Sequence, residues 1–324
     1  MNETDGLICA YRLDGEGGGT TFDRWEDIPI SSDRGHVWVH MDRTGDGARN
    51  WLTKDSGLRP LVQRALLAEE SRPRCTVISE GVLLNLRGIN LNPGAEPEDM
   101  VSVRLWLESD FIVSSRARKL MAVQDIRGGL KQGQGPKGPI GVVILLARRL
   151  TARMEPLLDE IQDRLDELED SVLTDTRREL RTEVANLRRR TISLRRYIAP
   201  QRDALRHLAT SDIDWISRVE RDQLNEIADD VTRYIEDLDV IRDRAAIIHD
   251  ELVNLLTERM DRTMYLLSLV AMIFLPLTLV SGMLGMNVGG IPGESTPWAF
   301  AFLCVAFLVL IAGEIWIIRK LKWI

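Results

Sequence analysis

The run Met264 to Leu284 reads MYLLSLVAMIFLPLTLVSGML, 21 residues without a charged side chain. Wound as an α-helix at about 1.5 Å per residue it is roughly 31 Å long, one bilayer hydrocarbon core. A second run, WAFAFLCVAFLVLIAGEIWII from Trp298 to Ile318, carries a single charge, Glu314. Core helices of soluble proteins seldom stay uncharged for this length. Two such runs in succession therefore read as two membrane-spanning helices.

The flanks of the two spans give an orientation. Arg259 and Arg262 precede the first, and Arg319, Lys320 and Lys322 follow the second. The loop between them, residues 285–297, contains no Lys or Arg. The positive-inside rule places both termini in the cytoplasm and the loop outside, with Trp298, Trp316 and Trp323 suited to the interfaces. Residues 1–30 hold no apolar run of signal-peptide type, so the residues before the membrane are expected to be cytoplasmic and Cys9 and Cys75 to be reduced thiols.

Whole-chain averages hide this segregation. The 324 residues carry 49 acids and 42 bases, a net charge of −7, with 44% apolar residues. Those values exclude intrinsic disorder and a strongly basic nucleic-acid binder, and three Cys exclude a disulfide-stapled domain. Residues 1–262 hold 47 of the acids and 39 of the bases.

The fold class that follows is an α+β membrane protein. An N-terminal cytoplasmic α/β domain covers residues 1–140, a long helical stalk 141–262, and two C-terminal transmembrane helices 263–324, around the outer loop 285–297. In the first section β-rich runs recur at Leu7–Tyr11, Val37–Met41, Val82–Ile89, Val101–Leu107 and Phe111–Ser115, and Pro60–Ala68 reads as a helix with Pro in its first turn. Gly-rich residues 127–141 read as a linker. In the stalk, apolar residues alternate spacings of three and four from Met154 to Val172 and again from Leu224 to Leu255, as in a coiled-coil seam. Pro200 marks a helix break, either at Ala199–Gln201 or in the following Ala209–Asp214 turn. The last seam runs into the first span without a Gly or Pro, which predicts one helix from about Asp214 to Leu284. A subunit with two spans cannot enclose a pore alone, whereas a symmetric oligomer can.

The first span ends Ser281-Gly282-Met283-Leu284-Gly285-Met286-Asn287, followed by VGGIPG at 288–293. Gly285-Met286-Asn287 at the outer end of the penultimate span, behind a helical stalk, resembles the CorA superfamily of divalent-cation transporters. VGGIPG, Glu70-Ser71-Arg72-Pro73-Arg74, Ala199-Pro200-Gln201-Arg202-Asp203 and the Ser268–Met272 and Phe274–Pro276 segments are similar to its ZntB zinc-transporter branch. The resemblance covers essentially the whole chain. It implies a homopentamer in the bacterial inner membrane, a pore lined by five copies of the first span, and Zn²⁺ as the transported ion, with no permanently bound cofactor. Mg²⁺, Co²⁺ or Ni²⁺ transport on the same fold is the alternative, and a membrane-anchored coiled-coil sensor is a reading from another class. Proton coupling stays open.

Residue chemistry gives these expectations a mechanism. A ring of Asn287 carbonyls can hold the water shell of a hydrated divalent ion without stripping it. Gly285 permits a turn at the helix end, although Gly285-Met286-Asn287 also fits a plain helix C-cap. Glu294 adds one negative charge per subunit beside the entrance, or is a solvated loop acid. Counting back from the motif, Gly282, Thr278, Leu275, Ala271, Leu267 and Met264 fall on one helix face and are the candidate pore lining, a face that would also pack the helices of a bundle. Leu275 and Leu267 can form apolar constrictions, Thr278 supplies the stripe's hydroxyl, and Pro276 removes a backbone hydrogen bond beside them. Zinc favours His nitrogen and Cys sulfur, yet the first span and outer loop contain neither. His36 and His40 are a candidate metal pair on one strand face. Asp229, Asp230, Asp237, Asp239 and Asp243 read as regulatory cation ligands or as a salt-bridged helix face. No Gly-rich phosphate loop or nucleophile–base set is present, so an enzyme is not expected, and neither is a nucleic-acid partner.

Overall fold

The computed structural model of the chain describes residues 5–30, 35–69, 72–79, 81–174, 178–286 and 297–320. Two compact units divide it, Met1–Asp250 and Glu251–Ile324.

The first unit is built on a seven-stranded sheet of order β2-β1-β3-β7-β6-β5-β4. Its strands are β1 (Leu7–Leu13), β2 (Gly19–Phe22), β3 (Val37–Asp42), β4 (Arg74–Ile78), β5 (Gly81–Gly88), β6 (Val101–Leu107) and β7 (Phe111–Arg116). All neighbours are antiparallel except β3 and β7, which run parallel. The five apolar runs become the five inner strands. The two edge strands, β2 and β4, carry no such signal, because both lie mostly exposed and need no apolar face.

Alternation along β3 sorts its side chains. Val37, Val39 and Met41 join Phe111, Val113 and Leu83 in a core with Trp51, Leu52, Val62 and Leu66. Those last four come from the turn Trp51–Asp55, which follows α1 (Asp46–Asn50), and from α2 (Pro60–Leu67). Trp38 and His40 turn to the other face. Residues 127–141, read from sequence as a linker, are instead mostly helical. α3 (Met121–Lys131) covers their start and α4 (Pro139–Ala152) their end. Burial of Val123, Ile126 and Leu130 at helical spacing overrides Gly128 and Gly129, and Pro139 opens α4 at the position where a missing N–H costs nothing.

α5 (Glu155–Thr174), α6 (Arg178–Thr210) and α7 (Arg218–Leu284) carry the stalk seams. Leu165, Leu224, Val231, Leu238 and Ala245 are fully buried. Pro200 lies inside α6, so the break falls at the later of the two sites, in residues 211–217. Arg221 clamps that turn. Its guanidinium donates to the carbonyls of Ala209 (2.9 Å), Ile213 (2.7 Å), Ile216 (3.2 Å) and Ser211. Ser217 and Glu220 form a capping box, with Ser217 N donating to the Glu220 carboxylate at 2.8 Å and Glu220 N to Ser217 Oγ at 3.4 Å. This box starts α7 four residues later than the sequence reading. Ion pairs join the seams on the outside: Arg206–Asp229 at 3.0 Å, Arg195–Asp239 at 2.7 Å and Arg244–Asp166 at 2.7 Å.

In the second unit α7 continues through Pro276 to Leu284, and α8 (Ala299–Lys320) follows. Both helices are long and apolar enough to cross a membrane. Lys320 sits 5.0 Å from the Trp316 ring centroid, a cation–aromatic pair of the kind that anchors a helix end at an interface.

Candidate ion pathway

The end of α7 carries the candidate pore lining. Met264, Leu267, Ala271, Leu275, Thr278 and Gly282 are all exposed in the single chain, Leu275 at 69%. An apolar helix face left this open is stable only against lipid or against other copies of itself. Leu275, Thr278 and Gly282 also border a shallow recess that continues past Met283 to Met286.

Thr278 has a defined polarity here. Its hydroxyl donates to the Phe274 carbonyl at 2.7 Å. The hydroxyl proton is thereby used, and the oxygen lone pairs remain as acceptors. Water bound to a cation presents its hydrogens outward, so an acceptor is the group such water needs. Ser268 does the same toward the Met264 carbonyl at 2.9 Å. Pro276 cannot donate to the Met272 carbonyl, which leaves one further acceptor on the helix beside Leu275.

Gly285 ends α7 without left-handed backbone: its N–H still donates to the Ser281 carbonyl at 2.9 Å. A Cβ at this position would stand 3.2 Å from that carbonyl oxygen. Met286 is 52% exposed. Asn287 and Glu294, the other two expected entrance residues, lie outside the described residues. In α8, Glu314 keeps one carboxyl oxygen buried without a hydrogen-bond partner among the described residues.

The histidine pair is not assembled into a metal centre. His36 precedes β3, and His40 is fully buried within it. His40 Nδ1 lies 2.7 Å from Ser114 Oγ, which also accepts from Trp38 Nε1 at 2.9 Å. Burial and the nearby guanidinium groups of Arg116 and Arg127 push its pKa well below the ordinary value, so the ring is neutral and sits in a positive field. Cys9 faces His40 across the β1–β3 register, and burial pushes its thiol up to about 12. No group of three or more His, Cys, Asp or Glu able to hold a metal exists among the described residues. The stalk acids fall to the salt-bridged reading at four positions. Asp229, Asp230, Asp239 and Asp243 pair with Arg206, Arg233, Arg195 and Arg242.

Sequence reasoning passed over Arg116, Lys119 and Arg127. They are apart in the chain from Asp42 and carry no motif, and only the parallel pairing of β3 with β7 brings them together.

The family described as CorA-like Mg2+ transporter protein matches residues 33–320. The divalent cation transporter CmaX of Pseudomonas aeruginosa is 41% identical over 330 residues, covering 98% of this chain and 97% of the relative. The zinc transport protein ZntB of Pectobacterium atrosepticum is 37% identical over 319 residues, covering 98% and 96%. A solved structure of full-length CmaX superposes with a TM-score of 0.83 at 40% identity, covering 98% of each chain.

Proposed function

The chain belongs to the CorA-like family of divalent-cation transporters, and from that premise we propose that it carries Zn²⁺ across the bacterial inner membrane through a pore formed by five copies of α7. It is a transporter and not an enzyme. The observation that carries the zinc reading is the end-to-end likeness, at more than a third identity, to relatives named zinc transport proteins. The pore reading is supported by the exposed stripe from Met264 to Gly282 that leads to Gly285-Met286. A single two-helix unit cannot bury that stripe, and a ring of subunits can.

In this reading Asn287 and Glu294 form the entrance and attract hydrated cations. The Thr278 ring offers acceptors to the water shell, and the Leu267 and Leu275 rings set the narrow apolar points. The membrane-spanning part of α7, Met264 to Leu284, supplies no His or Cys, so the ion travels with its water rather than by exchange between inner-shell ligands. This chemistry equally suits Mg²⁺, Co²⁺ or Ni²⁺, the second reading, which the relative named a divalent cation transporter also supports. Both termini and the Met1–Asp250 unit lie in the cytoplasm.

Ion flux into proteoliposomes, compared across Zn²⁺, Mg²⁺, Co²⁺ and Ni²⁺ with and without a pH gradient, tests the proposal. Zn²⁺ uptake above empty liposomes is the expected result. Mg²⁺ uptake without Zn²⁺ uptake overturns the zinc assignment, and no flux of any ion overturns the transport mechanism. Native mass spectrometry of the detergent-solubilised chain reads the subunit number.

A further inference from the structure

We propose that the cavity at the carboxyl ends of the parallel strands β3 and β7 binds a phosphate dianion, free or as the head of a small phosphate ester.

The cavity measures about 510 Å³ and lies wholly within the Met1–Asp250 unit. Asp42 at the end of β3 and Arg116 at the end of β7 are register partners. Lys119 and Arg127 close the same cavity from the β7–α3 connection and from α3. Ligands of sheets with parallel strands bind outside the carboxyl ends of those strands, where the connections part and leave a crevice. β3 and β7 are the one parallel pair in this sheet.

The charges are unbalanced in a way an anion would correct. Three bases face the cavity against one acid. Among the described residues no carboxylate forms an ion pair with Arg116, Lys119 or Arg127. Asp125, the acid on α3, is taken by Arg153 at 2.6 Å. Asp42 uses Oδ1 to accept from Thr44 N at 2.9 Å and Thr44 Oγ1 at 2.6 Å. Arg116 and Arg127 are half-buried, and the Nε of each is hidden from solvent without a hydrogen-bond partner among the described residues. Two partly desolvated guanidinium groups lining one cavity repel one another. Burial lowers the pKa of Arg116, the Asp42 carboxylate and Cys9 offset this in part, and Arg127 lowers it further. An oxyanion relieves both costs.

The residual charge of two matches a phosphate monoester, which carries about −1.5 to −2 at neutral pH. Guanidinium forks pair with its oxygens in bidentate fashion, and Lys119 adds a mobile ammonium. Leu120, Val123, Gln124 and Arg127 recur at helical spacing, so one face of α3 lines the space. The positive end of α3 adds to the same field. Leu120 and Val123 give an apolar wall for the body of an ester, and the volume exceeds that of phosphate alone.

The test uses the full-length protein in detergent, titrated with inorganic phosphate and, in parallel, with AMP, each against NaCl at equal ionic strength. Thermal unfolding and calorimetry read binding. Stabilisation by phosphate beyond the salt control is expected. Lys119→Gln and Arg127→Gln are each expected to weaken it about tenfold or more. A stronger effect of AMP assigns the site to an ester, and an equal or weaker one to free phosphate. Lys119 is exposed, so its variant keeps the fold and decides the matter even if Arg127→Gln does not. Absence of an anion-specific effect, or an effect unchanged in both variants, overturns the proposal. Zn²⁺ flux in the variants is a separate readout, and its loss or retention leaves the binding result intact.

Discussion

The backbone N–H of Arg87 on β5 donates to the side-chain carbonyl of Gln201 on α6 at 2.7 Å, across 114 residues of chain. Gln201 is fully buried and sits one residue after Pro200. The Arg87 side chain meanwhile lies 4.0 Å from the Tyr197 ring centroid and donates to the Met100 carbonyl at 2.9 Å. One turn of α6 is thus fastened to the sheet by a backbone donor, an aromatic face and a buried amide.

Gln201→Ala should therefore destabilise the cytoplasmic unit by about 1–3 kcal/mol, because the Arg87 N–H loses a buried acceptor. Thermal unfolding followed by circular dichroism checks this. A melting temperature equal to that of the wild type would show that the bond contributes nothing.

Arg221 offers a second test of the scaffold. Four carbonyls of the α6–α7 connection rest on its guanidinium. Arg221→Ala should lower the melting temperature and raise protease cutting within residues 211–217. Arg221→Lys should recover only part of the loss, since an ammonium cannot reach carbonyls on several sides at once. Full recovery by Lys would argue against the fork geometry.

Stability should also depend on His40. Its folded pKa lies below the ordinary value of 6.5, first through burial and then through Arg116 and Arg127. The unfolded chain thus binds the extra proton more readily than the folded one. Stability from this group is fully present above the unfolded pKa and is lost as pH falls below it, down toward the folded pKa. The melting temperature of the wild type should drop on acidification from about pH 7 to about pH 5. His40→Gln should show a shallower drop over that interval, and an identical slope would remove His40 as the cause.

Three substitutions at two positions probe the pore proposal. Asn287→Ala should abolish Zn²⁺ flux while the subunit number stays unchanged. Thr278→Val keeps the shape and removes the acceptor oxygen, so flux should fall several-fold, whereas Thr278→Ser should transport normally. Flux through Thr278→Val at the wild-type rate would place this face against lipid or a neighbouring helix rather than in the pore.

Legibility followed the physics of each signal. The two spans are readable because each stays almost uncharged over the width of a bilayer, and the α7 seam and the five inner strands because apolar burial leaves a period in the sequence. The exposed edge strands β2 and β4 left none. Nor did α3, whose two glycines outweigh its apolar face until that face is packed. The Ser217–Glu220 box is a local S-x-x-E pattern that starts the helix four residues after Asp214, the start that the uninterrupted seam predicts. His36 and His40 share a spacing that suits a metal pair, but spacing does not record that Ser114, Arg116 and Arg127 surround the buried ring.

By itself the sequence determined the membrane spans, the helical stalk and the family, because these rest on local hydropathy, apolar periodicity and a contiguous motif. Only the tertiary structure decided which charges are paired and which are not. It gave Asp239 to Arg195 and Asp125 to Arg153, and left Arg116, Lys119 and Arg127 around one cavity without an ion-paired acid among the described residues. Coulomb energy depends on distance through space, and residues 42, 116 and 127 become neighbours only when β7 pairs with β3.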